Sequence, residues 1–226
     1  MKRVSPEHGN IRVRAVGRGI PYLTEPGWYT IPAWSRGSKP FDQLSPFKIG
    51  HEPGKNFECY WQSWKVWSKV EKQEKFDWSW PEETHVDQDT GLPNEKWIKW
   101  HEALLNNKRP VRRPNGRAIP LYAWWEGEQL DVVQARKRIY IPELQKLYRA
   151  HPVYQILLDR VRSGHNLIIV EPDGPCYKTW PKGRDVDLQL LVDLQDRTTR
   201  EEDPTKYFPY GHGYVLALTI LQDLTK

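Results

Sequence analysis

The placement of nineteen prolines and fifteen glycines decides which segments of this 226-residue chain can become helices. Proline lacks the backbone donor and collides with the preceding turn, so helices end at it or begin with it. Pro21, Pro26, Pro32 and Pro40 leave Gly17 to Pro46 as a loop-rich stretch. Phe57 to Val70 holds neither residue, and Asn56 before it is a good N-cap, so the reading there is a helix over 57–70. Glu58, Trp61, Gln62 and Lys65 stand at i, i+3, i+4 and i+7 and share one face of that helix. Phe57, Tyr60, Trp64 and Trp67 form a second, aromatic face. Pro142 is placed to open a helix that runs to Ala150. His151-Pro152 ends it, and a further helix over 153–162 stops at Gly164. A last helix, Tyr214 to Leu224, follows Gly211-His212-Gly213.

Between these windows the periodicity changes. Ile11 to Val16 alternates apolar and basic residues, the pattern of a half-buried strand. Asn166 to Val170 is a short apolar run and reads as a buried strand. From Gln129 to Tyr140 apolar residues recur at helical spacing. Residues 71–117 form a charged, tryptophan-containing excursion, with turn signals at Asp89-Thr90-Gly91 and Pro114-Asn115-Gly116 and a short helix over 95–106. Residues 172–209 are polar and irregular, with a short helix over 187–194. There is no linker and no internal repeat. The expectation is a single α+β domain, mostly helical, with a small sheet and a tryptophan-rich insertion at about 71–117.

Composition narrows the function. The net charge of +5 and the pI of about 9.1 favour polyanionic partners such as nucleotides, nucleic acid or phosphorylated metabolites. The cluster from Lys108 to Arg113 reads as a solvated loop rather than a nucleic-acid site. Most of the twelve tryptophans read as core. The two cysteines, Cys59 and Cys176, fit no metal-ligand spacing and suggest free thiols in a reducing compartment. No run is apolar enough to span a bilayer, and the basic start lacks the apolar stretch of a secretory signal, so the expected location is cytoplasmic. Neither a dinucleotide fingerprint, a P-loop, a serine-nucleophile elbow nor a histidine pair at metal spacing occurs, so no metal and no cofactor are expected.

Three segments, in order, resemble the NADAR (YbiA-like) family. Leu44-Ser-Pro-Phe47 followed by Glu58-Cys-Tyr-Trp-Gln-Ser-Trp-Lys65 is similar to that family's Ser-Asn-Phe loop and its Glu-His-Tyr-Phe-Gln-Ala-Gln-Lys helix. Trp124, Val133, Ala135, Tyr140 and His151, then Leu157-Leu158, Gly164 and Leu167 to Glu171, resemble its central helices, Leu-Leu-x-Thr-Gly turn and Leu-Val-Glu strand. Gly211 to Leu218 is similar to its closing Gly-x-Asn-x-Leu-Gly helix. Together these cover about half of the chain. Pro46 and Gly213 stand where the family has Asn, Leu216 stands near its Gly, and the stretch from Lys65 to Trp124 is longer. The resemblance therefore implies a divergent member, of a kind that a virus or phage could deploy in a host cell.

What the resemblance implies is an N-glycosidase acting on an ADP-ribose conjugate, an ADP-ribosylated nucleobase or nucleic acid, or a phosphoribosyl nucleotide. Breaking a ribose–nitrogen bond puts positive charge on the sugar, and a carboxylate stabilises or attacks it while a second group handles water or the leaving base. Glu58, in the first turn of its helix, is the leading carboxylate; Glu171 or Asp173, after a buried strand, is its partner. Ser45, Phe47, Trp61, Gln62, Lys65, Gly211, His212 and Gly213 are the candidate substrate-binding residues. Each has a plainer role beside this one. Glu58 can complement its helix N-terminus, Trp61 can be core, Glu171 and Asp173 can belong to the Pro172-Asp173-Gly174 turn, and His212 can cap a helix. Two further functions stay open: a non-catalytic reader of ADP-ribose or nucleic acid, and a structural or interaction protein. The sequence carries no signal for oligomeric state.

Overall fold

A computed structural model describes residues 8–15, 24–32, 39–52, 55–67, 84–106, 120–171, 185–186 and 211–226. In chain order the described elements are β1 (Ile11–Ala15), β2 (Trp28–Pro32), a 3-10 turn (Phe41–Leu44), β3 (Gly50–Glu52), β4 (Lys55–Asn56), α1 (Phe57–Ser63) and β5 (Lys65–Trp67). They continue with α2 (Glu95–Asn106), β6 (Pro120–Trp125), β7 (Glu128–Leu130), α3 (Val132–Ala135), a π-helical turn (Arg136–Tyr140), α4 (Ile141–Ala150) and α5 (Pro152–Arg162). The last are β8 (Asn166–Glu171), β9 (Asp185–Val186) and α6 (His212–Leu224). Helices and small sheets together make this an α+β chain. It divides into two compact units, Met1–Lys48 with Glu143–Lys226, and Ile49–Pro142. The 71–117 excursion is described only over 84–106; its turn at Pro114-Asn115-Gly116 and the expected helix over 187–194 lie outside the described residues.

The discontinuous unit is organised by β8. The sheet order is β2-β8-β1-β9, with β8 parallel to both β1 and β2, and β9 antiparallel to β1. A strand flanked on both sides and covered by a helix needs apolar residues at every position, and Leu167 to Val170 are all buried. β1 departs from simple alternation: Arg14 is buried as well as Val13, because its guanidinium pairs with Glu25. β2 is a strand inside the stretch expected to be loop. Trp28-Tyr-Thr-Ile-Pro32 is rich in aromatic and β-branched residues, and Pro32 closes it rather than interrupting it. α5 begins with Pro152 under a cap in which the His151 ring accepts the Val153 N–H, and Gly164, at φ +87°, turns the chain toward β8. α6 packs on β8 and β1.

The end of α6 is fastened by Asp223. Its carboxylate accepts from Arg149 Nε at 3.0 and 3.1 Å, Tyr154 Oη at 2.7 Å and Lys226 Nζ at 2.8 Å. Burial works against its charge, but the bonds from Arg149, Lys226 and Tyr154 outweigh it and hold the carboxyl at about 2.

The continuous unit, Ile49–Pro142, has its own core of Cys59, Val66, Trp67, Trp97, Trp100 and Leu104. Asn56 caps α1 as its sequence implies, its side chain accepting the Cys59 N–H at 2.9 Å. The helix then ends at Ser63 instead of continuing to Val70. Lys65-Val-Trp67 leaves it to pair with β6, burying Val66 and Trp67 in the core. Strand pairing plus burial of an indole outweighs the modest helix propensity of that stretch. Residues 129–140 are likewise not one helix. Glu126 and Gly127, at φ 52° and 83°, turn β6 into β7, so 128–130 are strand. Asp131 then starts α3 with a capping box: it accepts the Val133 and Gln134 N–H groups, and the Gln134 side chain accepts the Asp131 N–H. The α2 helix matches its expected span, and the Asp89-Thr90-Gly91 turn forms around the Asp87 carboxylate, with Gly91 at φ 69°.

Candidate functional site

In the continuous unit, α1, β5 and the π-helical turn carry the Glu58 carboxylate, the Gln62 amide, the Lys65 and Arg136 cations and the Phe57, Trp61 and Tyr140 rings. Tyr140 lies edge-on to Phe57 at 5.2 Å and to Trp61 at 4.9 Å, so the turn is seated directly against α1. Glu58 is half-buried, and its Oε1 accepts from Gln62 Nε2 at 2.7 Å, one helical turn along. The other end of that amide, Gln62 Oε1, is buried and meets no hydrogen-bond partner among the described residues. Such an atom is a costly feature in a folded protein and marks a place where a donor is wanted.

Lys65 has left the helix face that the sequence assigned to it, yet its ammonium returns over the Trp61 ring, 4.8 Å from the centroid. Arg136 approaches the same ring at 5.9 Å and the Tyr140 ring at 4.9 Å. Trp61 is 4% exposed, so its ring serves as a seat for these two cations. Arg136 was not a sequence candidate. A π-helical turn is a frequent companion of functional sites, but a basic residue inside an apparently regular helical repeat carries no signal of one.

In the discontinuous unit, Glu171, His212 and Gly213 meet at the start of α6. Glu171 is buried, its Oε2 accepts the Gly213 N–H at 2.6 Å, and His212 Nδ1 lies 3.6 Å from that oxygen. The Tyr148 hydroxyl donates to the His212 carbonyl at 3.3 Å. The N–H of Gly213, a candidate substrate-binding residue, is thus donated to Glu171, which caps α6 and complements its dipole. A Cβ on residue 213 would stand 2.8 Å from Glu171 Oε2 and 3.2 Å from both Glu171 Cβ and Ile169 Cγ2, which explains why this chain has Gly and not Asn there. Gly211 is the N-cap residue of α6, in extended conformation.

Ser45 is fully buried at the end of the 3-10 turn, and its Oγ accepts the Phe47 N–H at 3.4 Å, while Phe47 itself is exposed. Asp173 lies outside the described residues. The structure therefore unites Glu58, Trp61, Gln62 and Lys65 in one unit, and Glu171, Gly211, His212 and Gly213 in the other. Among the described residues no group of histidine, cysteine and acidic side chains could hold a metal ion, and no helix is long and apolar enough to cross a membrane. Comparison with protein-family models, with curated proteins and with solved structures finds no match to this chain.

Proposed function

We propose that the chain is an N-glycosidase-like hydrolase of NADAR (YbiA-like) type, cleaving the ribose–nitrogen bond of an ADP-ribose conjugate, an ADP-ribosylated nucleobase or a phosphoribosyl nucleotide. The observation that carries this reading is the Glu58 carboxylate, half-buried and held by the Gln62 amide, within a unit that also presents Lys65 and Arg136. As the carbon–nitrogen bond stretches, positive charge grows on the ribose. A fixed carboxylate stabilises that charge more than it stabilises the neutral ground state, which is the condition for catalysis. Gln62 limits the rotamers open to Glu58, and its carbonyl, which has no partner among the described residues, suits a sugar hydroxyl or the attacking water. The cations suit the substrate phosphate. Glu171, engaged with the Gly213 N–H, is assigned to positioning α6, and Asp173 remains the candidate for the partner acid.

The test is cleavage of ADP-ribosylated guanine in DNA, of NAD and of phosphoribosyl pyrimidine intermediates by the parent protein and by Glu58→Gln. Loss of at least about 100-fold in rate is expected on whichever substrate is cleaved, the scale of removing one preorganised electrostatic contact. A variant that keeps the parental rate sinks the assignment. Tight ADP-ribose binding with no cleavage of any of these substrates supports a reader in place of a hydrolase, a reading favoured by the structural engagement of Glu171.

A further inference from the structure

Trp97 lies in the stretch between Lys65 and Trp124 that is longer here than in the family the chain resembles, so the resemblance assigns it no role. Its indole Nε1–H donates to the Lys65 carbonyl at 3.2 Å. Two further donors from the same segment line up beside it: His101 Nδ1–H reaches the Ser63 carbonyl at 3.1 Å, and the His85 N–H reaches the Trp67 carbonyl at 3.0 Å. β5 is an outer strand of its sheet, and a strand turns alternate carbonyls to opposite sides. The Trp64 carbonyl accepts from the Trp124 N–H of β6, whereas those of Ser63, Lys65 and Trp67 face away from β6 and are taken up by residues 85–101. These donors are themselves fixed. Asn94 Oδ1 accepts the Lys96 and Trp97 N–H groups at the start of α2, its Nδ2 donates to the Thr84 carbonyl and its N–H to the His85 carbonyl, so the loop and the helix start are joined. Burial lowers the His101 pKa, with the Ser63 bond and Glu102 acting the other way; the neutral ring keeps its single proton on Nδ1, where the carbonyl accepts it. The Lys65 ammonium stands 4.8 Å from the Trp61 centroid and 5.9 Å from that of Trp67, so the course of the strand decides where this charge lies. We propose that Trp97 is a positioning residue: with His101 and the His85 backbone it makes the 84–106 segment a brace on the outer edge of β5 that fixes Lys65 over the Trp61 ring. Its part in catalysis rests on the reading in which Lys65 binds the substrate on which Glu58 acts; the brace itself does not.

The experiment compares the full chain with Trp97→Phe, which keeps a ring in the core and removes the donor, with Lys65→Gln, and with the double variant. By NMR, the Lys65 ε-methylene protons of the parent resonate upfield of their position in the unfolded chain, because they lie over an indole ring. In Trp97→Phe that displacement shrinks, while the amides of β6 and β7 keep their protection from exchange. On the substrate that the parent cleaves, Trp97→Phe raises KM by about three- to tenfold, the scale of one neutral hydrogen bond, with kcat little changed, and it adds nothing to the loss in Lys65→Gln. No displacement in the parent, or one kept at full size in Trp97→Phe, overturns the brace; an additive loss in the double variant overturns the positioning role. If Trp97→Phe does not fold, His101→Phe, which removes the Ser63 donor and keeps a ring against Trp64 and Trp97, is read in the same way. A reduced displacement with no cleavage of any ribose–nitrogen bond by the parent upholds the brace and removes the hydrolase reading. Cleavage with the displacement unchanged does the reverse.

Discussion

Gly213 shows how two effects of opposite sign are weighed at a single residue. In an exposed helix interior, exchanging Gly for Ala stabilises by about 0.8–1 kcal/mol through backbone entropy. At position 213 the new methyl would meet Glu171 Oε2 at 2.8 Å, with the Glu171 Cβ and Ile169 Cγ2 both at 3.2 Å. Glu171 is buried and bonded to the same residue's N–H, so it has little room to retreat without losing that bond. Overpacking of this kind costs about 1–3 kcal/mol, and loss of a charged cap adds to it. Gly213→Ala is therefore expected to lower stability by about 1–2 kcal/mol net, measured as a shift of the urea midpoint. An unchanged or raised midpoint would show that Glu171 moves freely and does not hold the start of α6.

At the scale of elements, what was legible in the sequence was whatever local chemistry decides. The Asn56 cap, a helix ending at Gly164, the α2 span and the buried β8 run all follow from nearby residues, whereas Pro152, read as ending the helix before it, is the first residue of α5. What was hidden depends on partners distant in sequence. Lys65 sits seven residues after Glu58 and so mimics helix periodicity, but β6 lies some sixty residues on and claims 65–67 as strand. Of the candidate site, the Glu58–Gln62 spacing was readable, whereas Arg136 becomes visible only once the π-helical turn seats it against Trp61. The loop before α2 carries a pH dependence of its own. His85 is buried beside Trp100, 5.5 Å between ring centroids, and its Nδ1 meets no hydrogen-bond partner among the described residues. Burial, and secondarily the charge of Lys96, lower its pKa from 6.5 to about 4. The folded state therefore requires the neutral ring, and the unfolded chain takes up the proton first. This contribution is complete above pH 6.5 and is lost as pH falls toward 4, amounting to about 3 kcal/mol over that window. Chemical denaturation at stepped pH should show this loss in the parent and a flatter profile in His85→Phe, which keeps a ring against Trp100. Parallel profiles for the two proteins would rule His85 out as the source.

At the scale of the whole molecule, the two units differ in how much chain each must gather. Ile49–Pro142 is continuous in sequence, and its β6–β7 hairpin closes through a two-residue turn. The other unit needs both ends of the chain: β8 inserts between β1 and β2, pairing Ile11 with Leu167 and Tyr29 with Leu167. Without β8 the two early strands have no partner in common, since each is hydrogen-bonded to β8 and not to the other. Closing a loop of that length costs entropy before any of the sheet's apolar burial is gained, and pairings distant in sequence slow folding. The continuous unit is therefore expected to fold first. Pulse-labelled hydrogen exchange during refolding checks this directly: amides of β5, β6 and β7 should gain protection before those of β1, β2 and β8. Removing everything after Arg162 should abolish protection in β1 and β2 while leaving that of β5 to β7. Simultaneous protection of both sets in the full chain, or protected β1 and β2 amides in the truncated one, would show that the sheet is nucleated by something other than β8.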